Sequence, residues 1–434
     1  MNSIRTLFRT LGHIGDCASH EEKISAIADP PYVCIPLEYP GQILYKPLVQ
    51  AGDTVRRNQI IGRSGQGNCV HASVSGTVKE IRPVWTARSY NVPSVVIERN
   101  GGAPLSVGEV FEQYGVRFAS ASRIQKMKAL GVVSPWTLPG KFHREEEVEE
   151  FPEVRQIIIK GKNEEPSIFT FELLLEQESE KVTRGIQQLT SIAPNALIWL
   201  TVPRRLAAWA RETFGDSVKV APLGDGYKDR LERLLVPRLT GITIANTAPY
   251  RQEGIAVISV EYLLAMVDAL EGRSPFTHKH LTVAGHNVSR PVTVKFPIGT
   301  PIRTLLESQQ LHDKSFARLL VGGPMKGIAQ FSDETPLTKS CHGLYVISAD
   351  QLPLEVNLTC INCGRCTRAC PLNLQVHLIG RYVEYNLLLE ARGFHPEACN
   401  ECGLCAYVCP AHRPLVQLIT MCNQYDEHAD GQNV

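Results

Sequence analysis

The chain has 434 residues, and its 45 Lys and Arg stand against 44 Asp and Glu, so it is long enough for several domains and nearly neutral. That balance argues against a nucleic-acid partner, while 43% hydrophobic and 21% charged residues exclude a disordered or collagenous chain and allow a sizeable core. Of 13 cysteines, eight fall in two short runs near the end, which points to metal ligation in a reducing compartment and not to a disulfide framework.

Residues 1–30 read as an N-terminal extension. In MNSIRTLFRTLGH, Ile4, Leu7, Phe8 and Leu11 share one helical face, which predicts a short helix packed on its own domain. The continuous apolar core of a signal peptide is missing. The most apolar stretch, 254–270, is interrupted by Glu261 and Asp268 and falls short of the roughly 20 apolar residues that span a bilayer, so no transmembrane helix is expected.

Residues 31–105 predict a small, turn-rich β-sandwich. Short β-branched runs are broken by turn signals at Gly52-Asp53 and Ser75-Gly76. The pattern V-x-x-G-D-x-V followed by H-A-x-V-S-G-T-V looks like the lipoyl and biotinyl carrier sandwich. A carrier needs a modifiable lysine at its exposed hairpin; this chain has Gly67-Asn68-Cys69-Val70-His71 there, so a scaffold without a swinging arm is expected.

Residues 106–278 predict an α/β domain. Its charged run 143–150 reads as a solvated loop or first helical turn. From Glu153, apolar strands (156–160, 196–202, 241–246) alternate with helices (171–189, 204–214, 255–270), the rhythm of a largely parallel sheet. Such sheets hold nucleotides at strand ends, yet neither G-x-G-x-x-G nor G-x-x-x-x-G-K-[ST] occurs in this stretch, and Gly224-Asp225-Gly226 is a short glycine turn. Residues 279–350 change to strands around a Pro-Ile-Gly-Thr-Pro turn leading into a helix, then LLVGGPMKGIA, which looks like a small β-grasp module. The pair Gly322-Gly323 there allows close packing against a cluster or flavin, or a tight turn.

Residues 351–434 carry CINCGRCTRACP (360–371) and CNECGLCAYVCP (399–410), each a C-x2-C-x2-C-x3-C-P run. That is the bacterial spacing for iron–sulfur clusters, in which the fourth cysteine of a run ligates the other cluster. The reading assigns Cys360, Cys363, Cys366 and Cys409 to one [4Fe–4S] centre and Cys399, Cys402, Cys405 and Cys370 to a second. Zinc shares C-x2-C but does not call for the third cysteine and the Cys-Pro ending in both copies. Leu378, Ile379, Tyr382, Val383 and Leu387 at helical spacing between the runs predict a helical ferredoxin-type domain. Cys17, Cys34, Cys69, Cys341 and Cys422 lack metal spacing and read as structural, the neighbours His71 and His342 notwithstanding.

In this order of modules the sequence resembles the RnfC family, the peripheral subunits of Rnf electron-transport complexes and their relatives, over nearly the whole chain. The likeness rests on VQAGDTVRRNQIIG and HASVSGTV in the sandwich, on VAGHNVSRP, PIGTPIRTLL and VGGPMKG in a β-grasp module of the SLBB type, and on both cysteine runs with PLVQLI after them. It implies a middle domain like the flavin- and NADH-binding subunit of respiratory complex I, feeding electrons from FMN into the clusters. It places FMN or NADH near Gly131, Gly161 and Glu165. The sequence departs from the family there. A glycine-rich G-x-G-G-A-G-F-P loop is replaced by GVVSPWTLP from Gly131, N-G-A-E-C-E-P becomes KGKNEEP from Lys160, and Y-P-x-G-x-E is not recognisable near Tyr227. Glycines let backbone N–H groups approach phosphate, and bulky side chains block that approach. The expectation is an electron-transfer subunit that keeps its clusters and has an altered flavin site; an NADH:acceptor oxidoreductase using FMN, with Lys141, Lys160 and Lys162 neutralising phosphate, is the other reading. The resemblance implies partner subunits of a redox complex, membrane-embedded ones holding the chain at the inner face of the plasma membrane, and a ferredoxin or flavoprotein as donor or acceptor.

Overall fold

The computed structural model describes residues 20–39, 43–133, 153–243, 250–286, 288–311, 316–349, 352 and 359–425. The N-terminal helix, Cys17, Lys141, the charged run 143–150 and positions 134–139 of the altered glycine loop lie outside them.

The front of the chain folds into two small antiparallel sheets and a two-stranded pair, Glu38–Tyr39 with Ile43–Leu44. Strands Tyr32–Pro36, Val92–Arg99, Gly76–Val84 and Thr54–Val55 form one, and Lys46–Pro47, Ile60–Arg63 and Cys69–His71 the other. Their inward residues, among them Val33, Ile35, Ile61, Val70, Val78, Val95 and Ile97, make a common core, as alternating patterns require. Cys69 and His71 make no dyad: the thiol faces the Gly67 carbonyl at 3.6 Å, and His71 Nε2 meets the Ala129 carbonyl at 2.9 Å.

The middle sheet is entirely parallel, in the order Lys219–Leu223, Leu197–Pro203, Gln156–Lys160, Ile255–Ser259. Three expected elements are corrected, and the strand Lys219–Leu223 is one the sequence pattern did not reveal. Residues 241–243 are not a strand, and the fourth strand is Ile255–Ser259, which helical periodicity absorbs into a helix over 255–270. The sequence IAVIS is β-branched and buried on the sheet, and Ser259 then caps the helix Val260–Leu270 by accepting from the Tyr262 N–H at 3.1 Å. The expected helix over 171–189 is two, Thr170–Gln177 and Ser179–Ile192, broken at Glu178.

A third, mixed sheet runs Ser25–Ala26, Val292–Pro297, His278–Gly285, Gly343–Ser348, Phe316–Val321, Ile328–Gln330, with the helix Ile302–Ser308 between its strands. Residues 25–26 of the N-terminal extension thus enter this sheet as a parallel edge strand. The turn after Pro297 passes Gly299 at φ 93° directly over the sandwich, where a Cβ would stand 2.8 Å from the Cys34 carbonyl oxygen. Ser73 Oγ donates to the Ile298 carbonyl at 2.6 Å across the same seam.

The sheets are joined to the middle domain by buried polar contacts. Lys279, 1% exposed, bonds the Glu261 carboxylate on the helix Val260–Leu270 and His342 Nδ1 at 3.0 Å. Each buried charge is therefore paired, as low-dielectric surroundings demand. Residues 359–425 are helical throughout their regular elements: Arg365–Ala369, Val376–Glu384, Leu388–Arg392, Leu404–Tyr407 and Leu415–Gln424. Among the described residues no helix is long and apolar enough to cross a membrane.

Candidate metal centre

The two cysteine runs fold as copies of one loop. In both, the residue before the second cysteine is left-handed (Asn362 φ 54°, Glu401 φ 54°), and so is the glycine after it (Gly364 φ 68°, Gly403 φ 80°). Left-handed residues curl the chain tightly and turn successive N–H groups inward, the concavity used to hold anionic clusters. One such donor is visible where the Glu401 N–H lies 3.3 Å from Cys399 Sγ. Each loop enters a short helix carrying the third cysteine. A second helix follows each Cys-Pro, and these two, Val376–Glu384 and Leu415–Gln424, pack on each other around Ile379, Val383, Leu415 and Ile419.

The thiols act on one another across the two runs. Burial first, and then neighbouring thiols, raise the thiols of Cys399, Cys402 and Cys405, with Cys370 of the other run among those neighbours, and Cys366 is raised by burial and then by Cys409 of the other run. Cys360 lies against the guanidinium of Arg413. Among the described residues no three His, Cys, Asp or Glu side chains converge on a single-ion site. Eight thiols carried on two matched loops are the donor chemistry of iron–sulfur cubanes, so the residues present fit such clusters.

The two groups differ in exposure by degree: each has half-buried cysteines, Cys370 and Cys399 in one and Cys360, Cys363 and Cys409 in the other, and Cys366 of the latter is buried. Cys402, Gly403 and Cys405 are buried. Cys360 and Cys363 are half-buried, flanked by Ile361 at 66% exposure and by exposed Arg365 and Arg368.

The Cys402 group is clamped to the rest of the protein. Tyr227, at the start of the helix Tyr227–Arg230, donates its hydroxyl to the Cys402 carbonyl at 2.8 Å, and Leu231, Ala369 and Leu404 pack around it. On the other side, the Met325 carbonyl occupies the space where a side chain on Gly403 would be. Met325 belongs to the Gly322–Gly327 loop of the mixed sheet, and the Glu165 carboxylate holds that loop, accepting from the Met325 N–H at 2.9 Å and the Lys326 N–H at 2.6 Å. Gly323 lacks a side chain where Glu165 lies against it. The Gly322-Gly323 pair opens a tight turn, in which the Gly327 N–H donates to the Gly323 carbonyl at 3.0 Å, so the turn reading is realised, and it is Met325 within that turn that reaches the Gly403 loop.

Behind this loop a cavity of about 310 Å³ opens between the parallel and mixed sheets, lined by Lys160, Glu164, Glu165, Glu232, Lys326 and His342 among others. It sits beside Lys160 and Ser259, at the C-terminal ends of the two strands where the parallel sheet's order reverses, the usual ligand position in such sheets. Its volume is at the low end of small-molecule pockets, roughly 300–1,000 Å³. Its two lysines are already engaged: Lys160 Nζ meets Glu232 at 2.7 Å and Glu164 at 3.0 Å, and Lys326 Nζ meets Glu164 at 3.0 Å. Burial favours the neutral acid at Glu164, but the two ammonium groups outweigh it and hold the carboxyl down at about 2. At Glu165 burial prevails over the two N–H donors and pushes the carboxyl up to about 7.

The three residues expected near a flavin are placed as follows. Glu165 lines this cavity. Gly161 follows the strand Gln156–Lys160 and hugs its neighbour, with a Cβ position 2.6 Å from the Thr201 carbonyl oxygen. Gly131, at φ 73°, lies apart from them in the seam with the sandwich, where its carbonyl accepts from Lys339 Nζ at 2.7 Å. Lys162 is buried and lies 3.7 Å from Asp225. Sequence reasoning missed Tyr227, Met325 and Arg413, whose partners are remote in the chain and leave no local pattern.

Two family descriptions match the chain. An RnfC barrel sandwich hybrid domain covers residues 15–102, and a 4Fe-4S dicluster domain covers 353–410. Among curated proteins, the RnfC-type subunit of the Na(+)-translocating ferredoxin:NAD(+) oxidoreductase complex of Acetobacterium woodii is 26% identical over 367 residues, 82% of each chain. Its counterpart in the ion-translocating oxidoreductase complex of Pseudomonas aeruginosa is 28% identical over 356 residues, 79% of this chain and 46% of that one. The cobalamin reductase PduS of Salmonella typhimurium is 30% identical over 287 residues, 59% of this chain and 62% of that one. Among solved structures, an NAD+-reducing [NiFe]-hydrogenase in its H2-reduced state aligns with a TM-score of 0.41 at 16% identity, over 74% of this chain and 66% of that one. With a matching amino-terminal sandwich, a matching cysteine-rich domain and relatives that align over most of its length, the chain is similar to the RnfC family.

Proposed function

We propose that the protein is the iron–sulfur electron-transfer subunit of an Rnf-like redox complex, relaying electrons through two [4Fe–4S] clusters. Cys360, Cys363, Cys366 and Cys409 hold one; Cys399, Cys402, Cys405 and Cys370 hold the other. Such clusters supply one-electron transfer, and the chain's own residues fix where the electron can enter and leave. The observation that carries the reading is the contrast between the two cysteine groups. One has Cys402 and Cys405 buried behind Tyr227 and the Gly322–Gly327 loop, and the other has Cys360 and Cys363 half-buried beside exposed Ile361. A relay needs two ends that differ in this way. The modules are assigned as a lipoyl-like sandwich (31–105), a complex I flavoprotein-like α/β domain (106–278), an SLBB β-grasp module (279–350) and the ferredoxin-type domain (351–434). Its partners are other subunits of the complex, membrane-embedded ones included, which would hold it at the inner face of the membrane, with a ferredoxin or flavoprotein exchanging electrons.

A second reading, an NADH:acceptor oxidoreductase using FMN, is favoured by one observation. The switch-point cavity is connected through Glu165 and Met325 to the loop carrying Gly403. Against it, the cavity's lysines are engaged by Glu164 and Glu232. Anaerobic purification, iron and flavin quantification on one sample, and addition of NADH while the cluster absorbance is followed separate the two. About eight irons, the content of two four-iron cubanes, without flavin or bleaching support the relay fed by a partner. Eight irons with FMN and rapid bleaching support the dehydrogenase, and fewer than eight irons overturn the two-cluster assignment.

A further inference from the structure

Arg413 follows the second cysteine run by a few residues and is 3% exposed. Its guanidinium pairs with the Glu384 carboxylate, at the end of the helix Val376–Glu384, and lies beside the Cys360 side chain. Its Nε–H and Nη2 are buried without a well-aligned hydrogen-bond acceptor among the described residues, Nη2 in spite of its ion pair with Glu384. A buried donor without an acceptor is costly and calls for a partner the polypeptide does not supply. Beside a cysteine expected to ligate a cubane, an inorganic sulfide is such an acceptor.

The charges are unequal in their setting. The Glu384 side chain is 33% exposed and shares its field with water, whereas that of Arg413 is 2% exposed and keeps most of its own. Arg368 and Arg381 also flank this cysteine loop, with Arg368 donating to the Cys363 carbonyl at 2.9 Å, but both are exposed and screened. The positive potential at Cys360 therefore comes chiefly from one residue.

We infer that Arg413 is a positioning and potential-setting residue for the Cys360 cluster, raising its reduction potential relative to that of the Cys402 cluster and biasing electrons toward the surface-facing end. The inference rests on the two-cluster reading above. Reduction adds one electron, drawn from the donor protein, with no bond or proton exchanged; the added negative charge is stabilised by a desolvated cation and by N–H donors to sulfur.

The test is a redox titration of the full chain followed by electron paramagnetic resonance, with iron content measured on each sample. Arg413→Gln should shift the reduced-to-oxidised ratio of one cluster at least tenfold toward oxidised at fixed potential, a midpoint about 59 mV lower for a one-electron couple. The other cluster should stay put. Glu384→Gln should move the same cluster the opposite way, Arg413→Lys should retain most of the wild-type value, and Arg368→Gln should move it far less than Arg413→Gln. Unmoved midpoints with iron retained, equal shifts in both clusters, or a downward shift in Glu384→Gln would overturn the inference. If Arg413→Gln loses iron, Glu384→Gln and Arg413→Lys decide; failure of those to hold iron, or to show the expected signs, also overturns it. Failure of the wild-type protein to show two cluster signals would instead sink the two-cluster reading.

Discussion

The hydroxyl of Tyr227 donates to the main-chain carbonyl of Cys402 at 2.8 Å, across 175 positions of sequence. This bond ties the parallel-sheet domain to the loop of the inner cysteine group. Burial, with the charge of Glu165 next, pushes the phenol far above its ordinary range, so it remains a donor at all physiological pH.

Removing that donor leaves a buried carbonyl without it. Tyr227→Phe should cost about 1–3 kcal/mol of stability, read by denaturant unfolding of the cluster-loaded protein, while the iron content stays unchanged. A variant as stable as the wild type would mean that water or another group already serves the carbonyl.

Crossed ligation makes a pairing prediction that local ligation does not. Cys370→Ser and Cys402→Ser should abolish the same paramagnetic signal, and Cys409→Ser and Cys363→Ser the other. Cys34→Ser, in the sandwich, should leave both intact, since Cys34 is buried among Val84, Val96 and Tyr32. Loss of the Cys363 signal in Cys370→Ser would show that each run closes its own cluster.

Two glycines with positive φ separate strain from collision. Gly52→Ala, at φ 94° with no atom within 4 Å of the new methyl, should cost about 1–2 kcal/mol from the backbone alone. Gly403→Ala, at φ 80°, adds a collision with the Met325 carbonyl and should cost clearly more, with loss of one cluster signal. Thermal unfolding of both variants against the wild type measures the difference, and equal costs would mean that the Met325 loop yields freely.

What could be read from the sequence follows the range of the interactions. The cysteine spacing is local, and both loops adopt matching left-handed residues at Asn362, Gly364, Glu401 and Gly403. The parallel sheet was legible from its rhythm, but Ile255–Ser259 was not. An apolar run that is buried as a strand and continues into a buried helix offers no change of period, and only Ser259 as a cap marks the boundary. The clamp on the inner cysteines was invisible for another reason. Glu165 and Met325 are 160 positions apart and Tyr227 and Cys402 are 175 apart, and no periodicity encodes such pairs.

Acid should weaken the sandwich seam before it reaches the cluster ligands. His71 is buried, and that burial, followed by the charge of Lys339, lowers its pKa to about 3 from an ordinary 6.5. The unfolded chain takes up a proton that the folded state refuses, so stability contributed by neutral His71 is complete above about pH 6.5. It is lost progressively as pH falls toward 3, at a slope of up to about 1.4 kcal/mol per pH unit. His280, lowered to about 3 by burial and then by Lys279, acts in the same direction. His71→Gln should therefore flatten the fall in unfolding free energy between pH 6 and pH 4 by most of one such slope. An amide there can also keep the contact with the Ala129 carbonyl that His71 Nε2 makes at 2.9 Å. Urea unfolding at a series of pH values reads the slope directly, and an unchanged slope would mean that His71 is already protonated in the folded protein.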